Sequence, residues 1–516
     1  MKKIITVIAA FSCITLSAQR KYTIDNAGWF NPWIGSGNMA ALKGNSAFLQ
    51  DAGGSVSEAA LSFDGSAGEY RNIYDPAAKL DGTLNVESFL EVDKVNLYGR
   101  FNYNYDYGSK STWRGAVRPY ESPFMLADSI PGNTTMETYS MEAGISVPVG
   151  KWAIGMDVSY DVAIFAKLKD LRNRNTDMTF RIAPSLVYNA KHFDIGLHAG
   201  YELGSEKVEY AKIADNAENY LFYLYGLWMN TCNSFANAEN SRLNDKGRWF
   251  GGIQFDVKYG GWTLFNMISA DWGRASQTET GYNNLLWGDT ESFRISDRLV
   301  FQNGIRHRLT AAVSSDELAG ERFLQRQELD PASSVRRWVT YGSPMPCYAR
   351  YVLSGSLDYT FRKAERADYI PWELSVGATD MMAAHQYVNY PLTYLQKINY
   401  IEPYASFTGR IYLKKFMLDF NPTLSYKVRT SSIMDDVTVS EGAVVSGDPQ
   451  AMQLMEPLQA EFDWWDANCL RAGLKLGIEA GRFFGGISYR YDFAHIVRTG
   501  SFAGRHNANI TIGISF

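Results

Sequence analysis

The sequence predicts an all-β chain: a transmembrane antiparallel β-barrel of about 14–18 strands with long extracellular loops and a short N-terminal plug or lead-in segment. Three observations carry that expectation. Segments of about ten to thirteen residues alternate apolar and polar side chains, short reversals alternate with long connections, and the last strand is an alternating ridge closed by Phe516. Composition agrees: the 516 residues are 46% hydrophobic and 14% aromatic, with 32 Tyr and 28 Phe, which suits strands and interfaces. A mean hydropathy of −0.24 excludes a bundle of apolar helices in a bilayer. With 44 Gly, 4 Cys and 20% charged residues, collagen-like, disulfide-stapled and broadly disordered chains are excluded as well.

The first element is a targeting device over residues 1–18. Lys2 and Lys3 make a positive start, Ile4 to Leu16 an apolar run, and Ser17-Ala18-Gln19 the small residues of a cleavage site. The run falls short of the ~18–20 apolar residues of a spanning helix. Loss of the two lysines takes the net charge from −5 to −7, an acidic balance that excludes nucleic-acid binding. Three cysteines then remain, Cys232, Cys347 and Cys469, too few for a disulfide framework, with a single bridge left open. Residues 19–55 read as a periplasmic or plug segment and 56–516 as the barrel.

Within 56–516 the alternation is explicit. Leu470, Ala472, Leu474, Leu476, Ile478 and Ala480 share one face, with Arg471, Lys475 and Glu479 on the other. After a turn at Gly481-Arg482, Phe483, Ile487, Tyr489, Tyr491 and Phe493 oppose Ser488, Arg490 and Asp492. The same pattern runs through Val95–Tyr105, Trp152–Val162 and Phe416–Val428. Soluble strands average about five or six residues, whereas a tilted membrane strand needs about nine to eleven. Aromatics gather near strand ends, at Trp152, Tyr160, Trp249, Tyr259, Tyr426 and Tyr491, as interfacial girdles require.

Short reversals fall near Glu91–Lys94, Gly150, Ala190, Gly260, Lys414 and Gly481; long connections fall at Gly108–Asn133, Gly204–Lys246, Ser315–Tyr348 and Thr430–Asp466. This asymmetry separates periplasmic turns from outer loops. Eighteen strands, from Val56–Asp64 to Arg505–Phe516, fit best; stretches 274–301 and 219–228 read equally as staves or loop hairpins, so fourteen or sixteen stay open. Unpaired edge groups cost several kcal/mol each in hydrocarbon, so the strands must close into a ring.

The final ridge, Ile510, Ile512, Ile514 and Phe516, resembles the signal read by barrel-assembly machinery. With the signal ending Leu16-Ser17-Ala18-Gln19 and the Tyr-rich strands, the chain resembles Bacteroidota-type outer-membrane β-barrel proteins of an uncharacterised family. More weakly, Asn31-Pro32-Trp33 and Ser36–Leu42 resemble the amino end of the long-chain fatty-acid transporter barrel family. That resemblance implies a plug and fourteen strands, although the full Asn-Pro-Ala-Gly-Leu run is missing. Both resemblances imply the bacterial outer membrane, with lipid, the assembly machinery and a surface lipoprotein or TonB-dependent transporter as partners.

Chemistry is sparse. Gly35–Ala40 has dinucleotide-turn spacing without the flanking strand and helix that mechanism needs. None of the six histidines sits in a metal motif, so neither metal nor cofactor is expected. Asp380 with His385 and Asp492 with His495 are the sole candidate catalytic pairs, and no enzyme is expected. The polar faces supply lumen-lining candidates: Arg100, Asp157, Asp161, Arg181, Asp194, His198, Glu402, Arg410, Asp419, Arg471, Lys475, Glu479, Arg490 and Asp492. Their mixed signs suit cross-strand salt bridges or a polar conduit. Two loops hold aromatics and carboxylates fit for recognition: Tyr220, Phe222, Tyr223, Tyr225, Trp228 and Phe235 in one, and Glu461, Asp463, Trp464, Trp465 and Asp466 with Asp435, Asp436, Glu441, Asp448 and Glu456 in the other. The functional expectation is a passive channel or accessory pore for a small or hydrophobic nutrient. The alternative is a closed barrel serving as a binding or scaffold component of a surface uptake complex.

Overall fold

The computed structural model describes residues 45–52, 55–213, 219–234, 240–279, 285–332, 334, 336–363, 369–443 and 453–516. The signal segment, Gly35–Ala40, the transporter-like stretch 31–42, Phe235 and Asp448 lie outside them. In chain order the strands are β1 (Val56–Gly68), β2 (Ala78–Val92), β3 (Val95–Ser111), β4 (Phe124–Ala127), β5 (Gly132–Val149), β6 (Trp152–Lys167), β7 (Arg172–Asn189) and β8 (Phe193–Ala211). Then come β9 (Tyr220–Tyr225), β10 (Asn230–Ser234), β11 (Asn240–Tyr259), β12 (Trp262–Glu279), β13 (Leu285–Asn303), β14 (His307–Arg322), β15 (Gln325–Leu329) and β16 (Arg336–Thr340). The last are β17 (Met345–Lys363), β18 (Trp372–Asn389), β19 (Leu392–Tyr412), β20 (Met417–Val439), β21 (Asn468–Ala480), β22 (Phe483–Ile496) and β23 (Ser501–Ser515). Among the described residues one α-helix, α1 (Met455–Asp466), lies between β20 and β21.

Eighteen of these strands form one antiparallel sheet that closes on itself where β1 pairs with both β2 and β23. Closure leaves no edge, as a sheet in hydrocarbon requires. The backbone of Phe516 exchanges hydrogen bonds with Ser57, at 2.8 and 2.9 Å, so the two ends of the sheet meet at its seam. Stretch 274–301 resolves as staves, in β12 and β13. Stretch 219–228 does not: β9 pairs with β4 and β10 in a separate small sheet.

Tight reversals join β2 to β3, β5 to β6, β7 to β8, β11 to β12, β13 to β14, β19 to β20 and β21 to β22 at the end of the barrel that carries Phe516, here the turn end; the opposite end has two of its own, at Tyr390-Pro391 and at residues 497–500. Those at the turn end include Gly260-Gly261, where φ of 56° and 87° admits glycine easily. At the opposite, loop end the staves run on beyond a bilayer's need, reaching 23 residues in β20. Their upper reaches, such as Thr430-Ser431-Ser432, drop the apolar member of the alternation, which is why they read as loop in the sequence.

The outer face is an apolar band. Leu474 is 47% exposed, Ile487 53% and Ile512 58%, values a folded protein sustains only against lipid or a partner. Aromatic rings bound it on both sides. Near the turn end Trp152 packs on Tyr188 (4.8 Å) and Trp262 on Phe301 (6.1 Å); toward the loop end Tyr201 packs on Trp249 (4.5 Å) and Tyr103 on Tyr139 (4.9 Å). From Trp152 to Tyr160 is about 26 Å along β6, or about 20 Å after tilting, close to the height of a membrane band. Two carboxylates interrupt the band. Asp297 accepts a 2.6 Å hydrogen bond from Asn266, and exposed Asp380 stands opposite Gly355.

At the turn end a 3-10 segment, Ser46–Ala52, lies inside the barrel. The inward positions of β5 and β6 it crosses are small. At Gly155 an added Cβ would stand 2.4 Å from the Ala47 amide nitrogen, and at Gly144 it would stand 2.7 Å from Ser46 Oγ. The walls hold the segment's polar groups. Ala47 N–H donates to Ser185 Oγ (3.2 Å), Ser146 Oγ donates to the Ala47 carbonyl (3.1 Å), and Ser46 N–H donates to Asp157 (3.2 Å). Phe48 packs on Ala153 and Val187, and Leu49 on Phe89 and Tyr98.

Gly155→Val should therefore expel the segment, because a backbone atom cannot yield as a side chain does. In a Cys232→Ser background, Ser46→Cys is buried and should label with an impermeant maleimide at least about tenfold faster once Gly155→Val is added, equivalent to ~1.4 kcal/mol of local opening. Equal rates with and without the valine would show that the segment is not held by this groove.

Candidate functional site

The site is the lumen, closed at the loop end by a cap of inward-folded loops. The β4–β9–β10 sheet, α1 and stretches 69–77 and 112–123 enter the barrel mouth. Strand β9 reads YLFYLY without alternation because both of its faces meet apolar partners. At the centre, Trp228 stacks on Tyr74 (5.6 Å), meets Trp113 edge-on (5.5 Å), and donates its indole N–H to Glu461 Oε2 at 2.6 Å. Burial raises the Glu461 carboxyl above its ordinary pKa, opposed by the hydrogen bonds from Trp228 and Tyr120. Helix α1 buries Leu458, Glu461 and Phe462, one turn apart along one stripe. The loops that the sequence presents as recognition surfaces thus place Tyr223, Tyr225, Trp228 and Glu461 in a packed interior.

Below the cap the wall is polar and charged. Across β8, β11 and β12, Arg248 lies 3.9 Å from both Glu202 and Asp271; farther round, on β13, β14 and β17, Asp316 lies 2.9 Å from Arg294 and 3.0 Å from Arg350. Arg350 also donates to the Tyr120 carbonyl, tying this belt to the cap.

The sequence-derived candidates divide into groups. Asp157 holds the plug segment, and His198 is joined to it: Asn45 donates to Gln254 Oε1 (3.1 Å), whose amide meets His198 Nδ1 at 2.6 Å. Asp194 pairs with Lys258 (3.0 Å), Arg181 lies over the Phe250 ring (3.8 Å), Asp161 takes the Ser140 hydroxyl, and Arg100 donates to Asn85 (3.3 Å). At the turn end Asp419 faces Lys475 and Arg410, with Glu479 on the neighbouring strand, apart from the rest. Glu402, Arg471, Arg490 and Asp492 converge on one lumenal cavity of about 610 Å³.

Arg471 binds both carboxylate oxygens of Glu402, which also accepts the Ser425 hydroxyl at 2.7 Å. Arg490 Nε lies 2.9 Å from Asp492, which takes Asn507 Nδ2 as well, at 3.3 Å. The rest of the lining was missed. Arg505 and Asn507 carry a sequence signal, being on the polar side of the alternation that ends in Ile510–Phe516. Tyr70, Arg71 and Asp75 carry none, since irregular loop brings them in; Trp464 is named by the sequence as a recognition residue of its loop, and it is helix α1 that carries it to the cavity.

The imagined catalytic pairs come apart. Asp380 points outward while His385 points inward to the Tyr348 hydroxyl (3.3 Å); Asp492 faces the lumen while His495 lies on the outer side against Phe502 (5.0 Å). Residues of opposite parity on one strand occupy opposite faces. Among the described residues no group of three or more His, Cys, Asp or Glu is placed to hold a metal ion, and Cys232, Cys347 and Cys469 are free thiols.

Solved structures share the barrel class. They include the copper transporter OprC (TM-score 0.39, 7% identity, 89% of this chain and 82% of that one) and the ferric preacinetobactin receptor BauA of Acinetobacter baumannii (0.39, 6%, 90% and 80%). The RagAB peptide importer in its closed-closed state is another (0.42, 6%, 86% and 72%). The likeness is one of fold alone. No curated protein matches the sequence. A family model described as a family of unknown function, DUF6850, matches residues 46–516, from the plug segment to the final Phe, and the chain belongs to that family.

Proposed function

We propose that this protein is an outer-membrane barrel that passes a small polar solute through its lumen, with the inward-folded loops as the gate. The observation that carries the reading is the charged cavity of about 610 Å³ beneath the cap, with paired Arg and carboxylate side chains lining the wall around it. A structural filler needs no such space; a transported solute does. A polar lining favours a polar solute over a hydrophobic nutrient. The apolar outer band would face outer-membrane lipid, and the Ile510–Phe516 ridge would serve the assembly machinery. The packed cap favours a second reading, a closed barrel that binds or scaffolds a surface lipoprotein or a TonB-dependent transporter.

Planar-bilayer recording on the purified full chain separates the two. A gated channel shows discrete conductance steps, and proteoliposomes carrying it swell in small polar solutes. A barrel that is silent in both assays, while migrating as a folded, heat-modifiable species, refutes the channel and leaves the scaffold.

A further inference from the structure

The charge count around the cavity does not balance. Four guanidinium groups, Arg71, Arg471, Arg490 and Arg505, line it against three carboxylates, Asp75, Glu402 and Asp492. Two of the acids are engaged: Glu402 by Arg471 and Ser425, Asp492 by Arg490 and Asn507. Asp75 is left to answer both Arg71 and Arg505, and Arg71 spends Nη1 on the Asp75 backbone carbonyl at 2.5 Å. Arg505 gives Nη2 to Ser66 Oγ at 2.8 Å, while its Nη1 is buried with no hydrogen-bond partner among the described residues, so an anion in the cavity would meet it after a small turn of the guanidinium. A guanidinium donor left in this way calls for an anionic acceptor.

Beside this surplus cation stands an aromatic wall. Tyr70 and Trp464 line the same cavity with ring centroids 6.4 Å apart, and the Tyr70 hydroxyl is tied to the Trp464 carbonyl at 3.2 Å, so the wall is held in place. A volume of about 610 Å³ lies within the range that holds a drug-sized organic molecule.

We propose that the cavity is a binding site for a small organic monoanion, an aromatic carboxylate, with the carboxylate on Arg505 and Arg71 and the ring against Trp464 and Tyr70. This deepens the transport reading by naming the solute class, and it rests on that reading only for the direction of passage. Arg71, Tyr70 and Trp464 belong to cap elements whereas Arg505 belongs to the wall, so a bound anion would bridge gate and barrel.

The test is calorimetric titration of the purified full chain in detergent with phenylacetate and indole-3-acetate, against their uncharged amides. The acids should bind at least tenfold more tightly than the amides. Arg505→Gln should abolish that preference, while Arg326→Gln, on the exposed β15–β16 hairpin, leaves it intact; both variants should keep the heat-modifiable migration of the parent. Equal affinity for acid and amide, no binding of either acid at 10 mM, or an unchanged preference in Arg505→Gln overturns the proposal. The bilayer assay fails independently: a conducting barrel indifferent to the acids keeps the channel and loses the site, whereas a silent barrel that binds them keeps the site and loses the channel.

Discussion

Leu474→Arg should destabilise the folded barrel by about 2–4 kcal/mol, measured as the shift in a urea titration of protein folded into lipid vesicles. Leu474 points outward near mid-height, opposite Pro422 on β20 and Tyr489 on β22. An arginine there meets acyl chains and must drag water or headgroups inward. Thr379→Arg places the same side chain in the polar cavity, opposite Glu402, and should cost under about 1 kcal/mol. The contrast removes the ordinary effects of side-chain size and strand propensity. If the two substitutions cost the same, the assignment of outer and inner faces is wrong.

Trp228→Ala should open the cap. The substitution deletes a large buried ring and strands Glu461 without its indole donor, a combined loss of about 3–5 kcal/mol confined to the loop assembly. The staves are held by their own ladder, so heat-modifiable migration should persist while protease cleavage near 226–229 accelerates and the bilayer open probability rises. Trp228→Phe, which keeps most of the ring and loses the N–H, should lie between the two. Unchanged cleavage in Trp228→Ala would show that the mouth is not sealed by this cluster.

Much of the barrel is legible in the sequence because a two-sided environment forces a two-residue period. Leu470–Ala480 and Phe483–Phe493 alternate since one side of each strand meets lipid and the other water, and every tight turn named from residue type lies at the turn end. Strand ends are less legible. Over Arg429–Ser432 both faces of β20 are polar, so the periodicity that marks a stave breaks although the ladder continues to Val439. The cap is least legible. Its loops meet one another through contacts distant in sequence, such as Trp228 with Glu461, which local pattern cannot join. One signal was present: the six apolar residues Tyr220–Tyr225 lack alternation, the mark of a strand covered on both sides. For the lumen, parity places Glu402, Arg471, Arg490 and Asp492 inward, but which of them share a cavity depends on strand adjacency and on Tyr70 and Trp464 arriving from irregular segments.

The plug segment also constrains the order of biogenesis. Its anchoring atoms come from β5, β6, β7, β8 and β11, including Ser146, Asp157, Ser185, the Leu197 carbonyl and Gln254. None of these pockets exists until the strands that carry them stand side by side. Residues 45–52 are synthesised before every stave, yet they are among the last to find their resting place. Until then its polar groups must be answered by water, and the wall that receives it takes over those bonds.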